Sequence, residues 1–97
     1  MQPIRQGDVI LLAIQQFEGQ KLPHLILAEG EVTGHFHRIS EGEARLYEKE
    51  GTLYLQVLSE TALLTHEEHK AISIPKGTWM VRIQREYEPE GWRYVAD

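Results

Sequence analysis

The stretch TALLTHEEHKAISIPKGTWMVRI, residues 61–83, decides the fold. At its right-hand end Trp79, Val81 and Ile83 alternate with Met80, Arg82 and Gln84. A period of two is the mark of a strand with one buried and one wetter face, and it predicts a strand over 78–87. Residues 61–65 form a short apolar strand, and 71–74 resume the extended pattern. Pro75-Lys76-Gly77 has turn chemistry and predicts a turn. Residues 66–69, His-Glu-Glu-His, interrupt the apolar run between the two segments.

The same grammar holds on either side. Residues 8–14, entered by Gly7, read as a mostly buried strand, and 17–23 read as a turn or loop. Residues 24–33 read as a second strand, bent at Gly30, because glycine inside a strand often marks a bulge. Residues 40–43 connect. Residues 44–49 and 52–58 pair as a hairpin about Glu50-Gly51, with Leu53, Leu55 and Val57 on one face and Tyr54, Gln56 and Leu58 on the other. Glu88-Pro89-Glu90-Gly91 turns, and 92–95 add a last short strand. Seven to nine short strands and no helix predict an all-β chain, a single domain over 1–97 closed as a small β-barrel. Closure is favoured because so short a chain covers open sheet edges poorly, and the same problem favours a homodimer.

Composition narrows the function. Ten basic and fifteen acidic residues give a net charge of −5 and are well mixed, so the basic stripe of a general nucleic-acid binder is absent. No run of eighteen apolar residues crosses a membrane, and the first residues lack a secretion pattern. A cytoplasmic bacterial protein is the expectation. With no cysteine, disulfides and thiolate metal sites are excluded. No phosphate-binding loop and no Gly-x-Ser-x-Gly elbow occurs.

Histidine is the exception to this even composition. Four of five histidines fall in two clusters, His35 and His37 in GEVTGHFHRI (30–39) and His66 and His69 in THEEHK (65–70). His24 stands apart and reads as a surface or a satisfied core residue. On a strand, His35 and His37 share a face about 7 Å apart and Phe36 turns to the core. His66 and His69 converge in a helical turn or bulge. Such a set suits Zn²⁺, Fe²⁺, Mn²⁺ or Ni²⁺. Three ligands leave an open position, where metal-bound water acts as nucleophile and Glu67 or Glu68 as base. Four ligands make a structural or sensory centre.

Imidazoles also exchange protons near neutral pH without metal. Paired with Lys70 or Arg38 as charge stabiliser, they suit RNA cleavage through the 2′-hydroxyl. A third reading is a non-enzymatic binding module. The substrate is accordingly a small molecule or RNA. Arg85 and Tyr87 are candidates for contacting it, alongside Arg38.

Two resemblances follow from these residues. HFHRISE resembles the first cupin motif, which maps metal ligands onto His35, His37 and Glu41. IPKGTW resembles the Pro-x-Gly of the second, although Met80 stands where a cupin has its last ligating histidine. The blocks GEVTGHFHRI, LLTHEEHKAISIPKG and VRIQREYEPEG together resemble a family of short, poorly characterised bacterial proteins. That likeness implies that Arg85, Glu86 and Tyr87 belong to the family signature.

Overall fold

The structure, a computed structural model, describes residues 2–30, 34–88 and 91–94, with side chains as far as Gln84. Its strands are β1 (Ile4–Gln6), β2 (Val9–Ile14), β3 (Gln20–Lys21), β4 (Ile26–Glu29), β5 (Phe36–Glu41), β6 (Ala44–Lys49), β7 (Thr52–His66), β8 (His69–Ile83), β9 (Arg85–Glu88) and β10 (Gly91–Tyr94). There is no helix among the described residues, and therefore none long and apolar enough to cross a membrane. The main sheet runs β1-β2-β8-β7-β5-β4, with β6 also on β7 and β3 on β6, while β9 and β10 pair with each other. Every pairing is antiparallel. The expected all-β, barrel-like domain is present as a strongly curled sheet.

The curl comes from one long bent hairpin. β7 and β8 are fifteen residues each, not the four shorter strands that the sequence suggests. Pro75-Lys76-Gly77 does not form a turn. It lies within β8, opposite a slip in register where Val57 pairs with Gly77 and Thr61 with Pro75. Turn chemistry and bulge chemistry use the same residues, since both need a missing N–H or an unusual φ. The buried positions change parity at this corner. Leu55 and Val57 give way to Ala62 and Leu64 on β7, and Ile74 gives way to Trp79 and Val81 on β8. Both halves of the hairpin thereby aim apolar side chains into one core.

The corner's polar groups are satisfied. Leu58 N–H and Ser59 N–H donate to Glu43 O at 2.8 and 3.3 Å. The Ser59 hydroxyl accepts from Glu43 N–H at 2.9 Å and donates to Thr61 O at 2.7 Å. Trp79 is 1 % exposed, and its indole N–H donates to Pro75 O at 3.1 Å. The core joins Trp79 with Val9, Leu11, Leu27, Ile39, Leu46, Leu55, Leu64 and Ile74 among others. Ile83, expected in the core with Trp79 and Val81, is half-buried against it, as is Leu53.

The curl brings an edge of the sheet back upon its middle. Gln6, in edge strand β1, donates its side-chain amide to Leu64 O of β7 at 3.0 Å and to Lys70 O of β8 at 2.9 Å. A side chain bridges there in place of a backbone ladder.

Candidate functional site

The histidines gather at the tip of the long hairpin. His66 ends β7, His69 begins β8, and the two are paired across the Glu67-Glu68 turn. Cross-strand pairing places side chains on one face, so residues three apart in sequence converge without a helix. On β5, His37 and Ile39 are buried while Arg38 and Ser40 are exposed. Ring centroids lie 4.2 Å apart for His37 and His66, 4.6 Å for His66 and His69, and 5.7 Å for His37 and His69. One ring nitrogen from each of these three histidines lies within 4.8 Å of the others, a spacing that could hold one metal ion.

The buried polar residues among those described are Gln6, Asp8 and His37, and all three meet here. Gln6 spends both amide hydrogens on carbonyls, Leu64 O and Lys70 O. Its Oε1, 2.9 Å from His37 Nδ1, must therefore accept, so Nδ1 carries the hydrogen. Nε2 is then the lone-pair face of the neutral ring, and Asp8 Oδ1 stands 3.4 Å from it. Orienting a ligating imidazole through its other nitrogen is a usual supporting contact in metal sites.

Two glycines make the approach of the chain possible. Gly7 has φ +60, and a Cβ there would lie 2.7 Å from His69 Nε2 and 3.1 Å from His37 Cε1. A Cβ on Gly30 would collide with the His66 ring. Each backbone passes where a side chain would displace an imidazole.

His66 is wired in the opposite sense. Its Nδ1 accepts Glu68 N–H at 3.0 Å, so the neutral ring holds its hydrogen on Nε2. That Nε2 is buried without a hydrogen-bond partner among the described residues. Burial lowers the His66 pKa below the ordinary histidine value, and neighbouring His69 lowers it further. On the outer side, His35 Nδ1 is 2.8 Å from Glu68 Oε2. Glu67 Oε1 accepts Phe36 N–H at 2.9 Å, and this backbone bond holds the exposed carboxylate below its usual range. His35, His66 and Glu67 form a second, outer group of potential ligands.

The expected site is thus partly redistributed. His37, His66 and His69 come together inside, and His35 faces Glu68 on the rim. Phe36 does not enter the core. It is half-buried and lines, with Arg38, Thr65, His66 and Glu67, a shallow cavity of about 190 Å³. β5 gives its inner face to His37 and Ile39, which leaves their neighbours Phe36, Arg38 and Ser40 on the outer one. Lys70 is exposed, and its carbonyl is what the seam uses. Glu41 is exposed at the far end of β5, and Met80 pairs with Leu12 and Tyr54 on the other half of the hairpin. Neither belongs to a group that could hold a metal, so the cupin mapping gains no support here. His24 is exposed, with its Nδ1 accepting Ile26 N–H. Arg85 and Tyr87 lie in β9, and their side chains fall outside the described residues. Sequence reasoning missed Gln6, Gly7 and Asp8. Their one signal was a polar-glycine-polar triplet set directly before a buried strand.

The arrangement offers close-set nitrogen donors, a buried carboxylate and an oriented ring, parts that serve either metal binding or proton exchange. No curated protein matches the chain, and no solved structure does. Residues 5–84 match the model of a domain of unknown function, DUF8820, and the chain belongs to that family.

Proposed function

We propose that this domain holds one divalent transition metal ion at His37, His66 and His69 and uses it to bind or hydrolyse a small molecule. The observation that carries this reading is the convergence of three imidazoles within 4.8 Å at the spot where the buried polar residues also meet. Nitrogen-rich sites accept Zn²⁺, Fe²⁺, Mn²⁺ or Ni²⁺. When bound, such an ion supplies a Lewis acid and lowers the pKa of a coordinated water towards neutrality. Ligation through His66 Nε2 requires the ring hydrogen to move to Nδ1. That breaks the bond from Glu68 N–H, so loading rearranges the 66–69 turn.

The test is elemental analysis of the untagged chain beside the His37→Ala and His66→Ala variants. The expected result is close to one equivalent in the parent and none in the variants, with a matching loss of melting temperature. No retained metal after incubation with each of the four ions sinks the reading.

The proton arrangement favours a second reading. His37 Nε2 would serve as the accepting base, and His66, once protonated, would give up a proton from Nε2 as the acid. Arg38 lines the cavity beside His66, where a phosphodiester would dock. This reading expects RNA cleavage in excess EDTA, 2′,3′-cyclic ends and a bell-shaped pH profile. Cleavage that stops on chelation removes it.

A further inference from the structure

We infer that His35, His66 and Glu67 form a second seat for a divalent metal ion, outside the three-histidine centre and exclusive of it. The inference goes beyond the reading above and shares one ligand with it, His66.

The donor atoms come first. One ligand atom from each of His35, His66 and Glu67 lies within 4.8 Å of the other two. His35 Nδ1 and His66 Nε2 are both buried, and neither has a hydrogen-bond partner among the described residues. A buried polar atom left in that state is uncommon, and a bound ion is one of the things that accounts for it. Here two such nitrogens belong to one group, on rings whose centroids are 5.8 Å apart, edge to face. Glu67 supplies the oxygen. Its Oε1 takes Phe36 N–H at 2.9 Å, which fixes the carboxylate and leaves Oε2 for the ion. Glu68 Oε2 stands 2.8 Å from His35 Nδ1 without the alignment of a hydrogen bond. A second negative charge therefore flanks the same nitrogen, and two carboxylates balance a divalent ion.

Two histidines and one carboxylate are the donors of catalytic zinc and of non-haem iron(II) sites, both of which keep positions open. His66 and Glu67 also line the cavity of about 190 Å³ that Phe36, Arg38 and Thr65 complete. An outer ion thus has room beside it for water or a small ligand.

His66 stands between the two groups, with His37 and His69 on one side and His35 on the other. A neutral imidazole has one lone pair, and both seats call on Nε2 of His66. The ring cannot serve two ions at once, so the chain takes one ion and has two places for it. His35 is half-buried and Glu67 exposed, so water competes for the outer ion. That ion exchanges and is lost on gel filtration, and its test is therefore made at equilibrium.

His69 is half-buried, and His69→Ala removes the inner seat while keeping His35, His66 and Glu67. The variant, labelled with ¹⁵N-histidine, is titrated with Zn²⁺ and followed by ring NMR, which reports each nitrogen that meets the ion; its amide spectrum checks the fold. His35 Nδ1 and His66 Nε2 are expected to shift together and finish at one equivalent, with the His37 and His24 nitrogens keeping their positions. In that background Glu67→Gln and His35→Ala should each weaken Zn²⁺ binding more than about 100-fold, beyond the usual effect of a supporting residue. His37→Ala removes the inner seat from the other side and should behave alike, which keeps the test decisive if His69→Ala does not fold. A natively folded variant whose His35 ring ignores Zn²⁺ overturns the second seat. So does binding that survives Glu67→Gln and His35→Ala unchanged. Two ions held at once by the unmodified chain, with all four rings shifted, overturn the exclusivity. The unmodified chain also tells the two readings apart. Response of His37 and His69 at the first equivalent supports the inner centre, whereas response of His35 and His66 alone removes it and keeps the outer seat. If no ring responds in either protein, both fall.

Discussion

At the scale of single residues, Gln6 sets the chemistry of its neighbours. Its amide serves two carbonyls and a ring, so Gln6→Ala strands Leu64 O and Lys70 O and frees His37 to choose its tautomer. Expected costs are about 1–3 kcal/mol in urea unfolding for the buried groups left unpaired, and about 10–100-fold in metal affinity by competition titration. His66 makes the metal-free chain acid-sensitive. Its folded pKa is lowered by burial, so the unfolded chain takes the proton first. Stability is full above the ordinary histidine value and falls as pH drops through it towards the folded value. Calorimetry of chelator-treated protein should show melting temperature declining from pH 7 to about 5.5, and His66→Gln should flatten that slope. Glu67, lowered by its bond from Phe36 N–H, acts in a separate window. Its contribution is complete above the ordinary carboxylate range and is lost at more acid pH, as it falls through the folded value.

At the scale of elements, the long hairpin shows what the sequence discloses and what it conceals. Alternation over residues 78–83 was legible because the pleat writes burial into every second residue. The two histidine clusters were legible because imidazole is scarce elsewhere in the chain. The corner at Pro75-Lys76-Gly77 was not, because the signal for reversing a chain is also the signal for bending a strand. The parts played by Gln6 and Asp8 were hidden for another reason. Gln6 meets carbonyls 58 and 64 residues away, and no local pattern encodes such an encounter. Trp79 is the test of the corner. Trp79→Phe removes the bond to Pro75 O and should cost about 1 kcal/mol. Trp79→Ala empties the core and should cost about 3–5 kcal/mol, both read from denaturant midpoints. Glu67→Gln weakens the tie between the hairpin tip and β5, and faster hydrogen exchange at the Phe36 amide is the expected sign.

At the scale of the whole molecule, one curled sheet does the work of a closed barrel, and its seam lies at the candidate site. β1 is held by three residue pairs with β2 and by the Gln6 side chain across the gap. Elements with so few cross-links open at a small fraction of the free energy of global unfolding. When β1 peels away, Gln6 leaves His37 and the Asp8 turn loosens with it, while Trp79, Leu55 and the rest of the core stay assembled. Solvent and ions then have a path to His37, the buried one of the three imidazoles. The seam is a clasp over His37, and the rate at which it springs open would set the pace at which an ion held through that ring comes and goes.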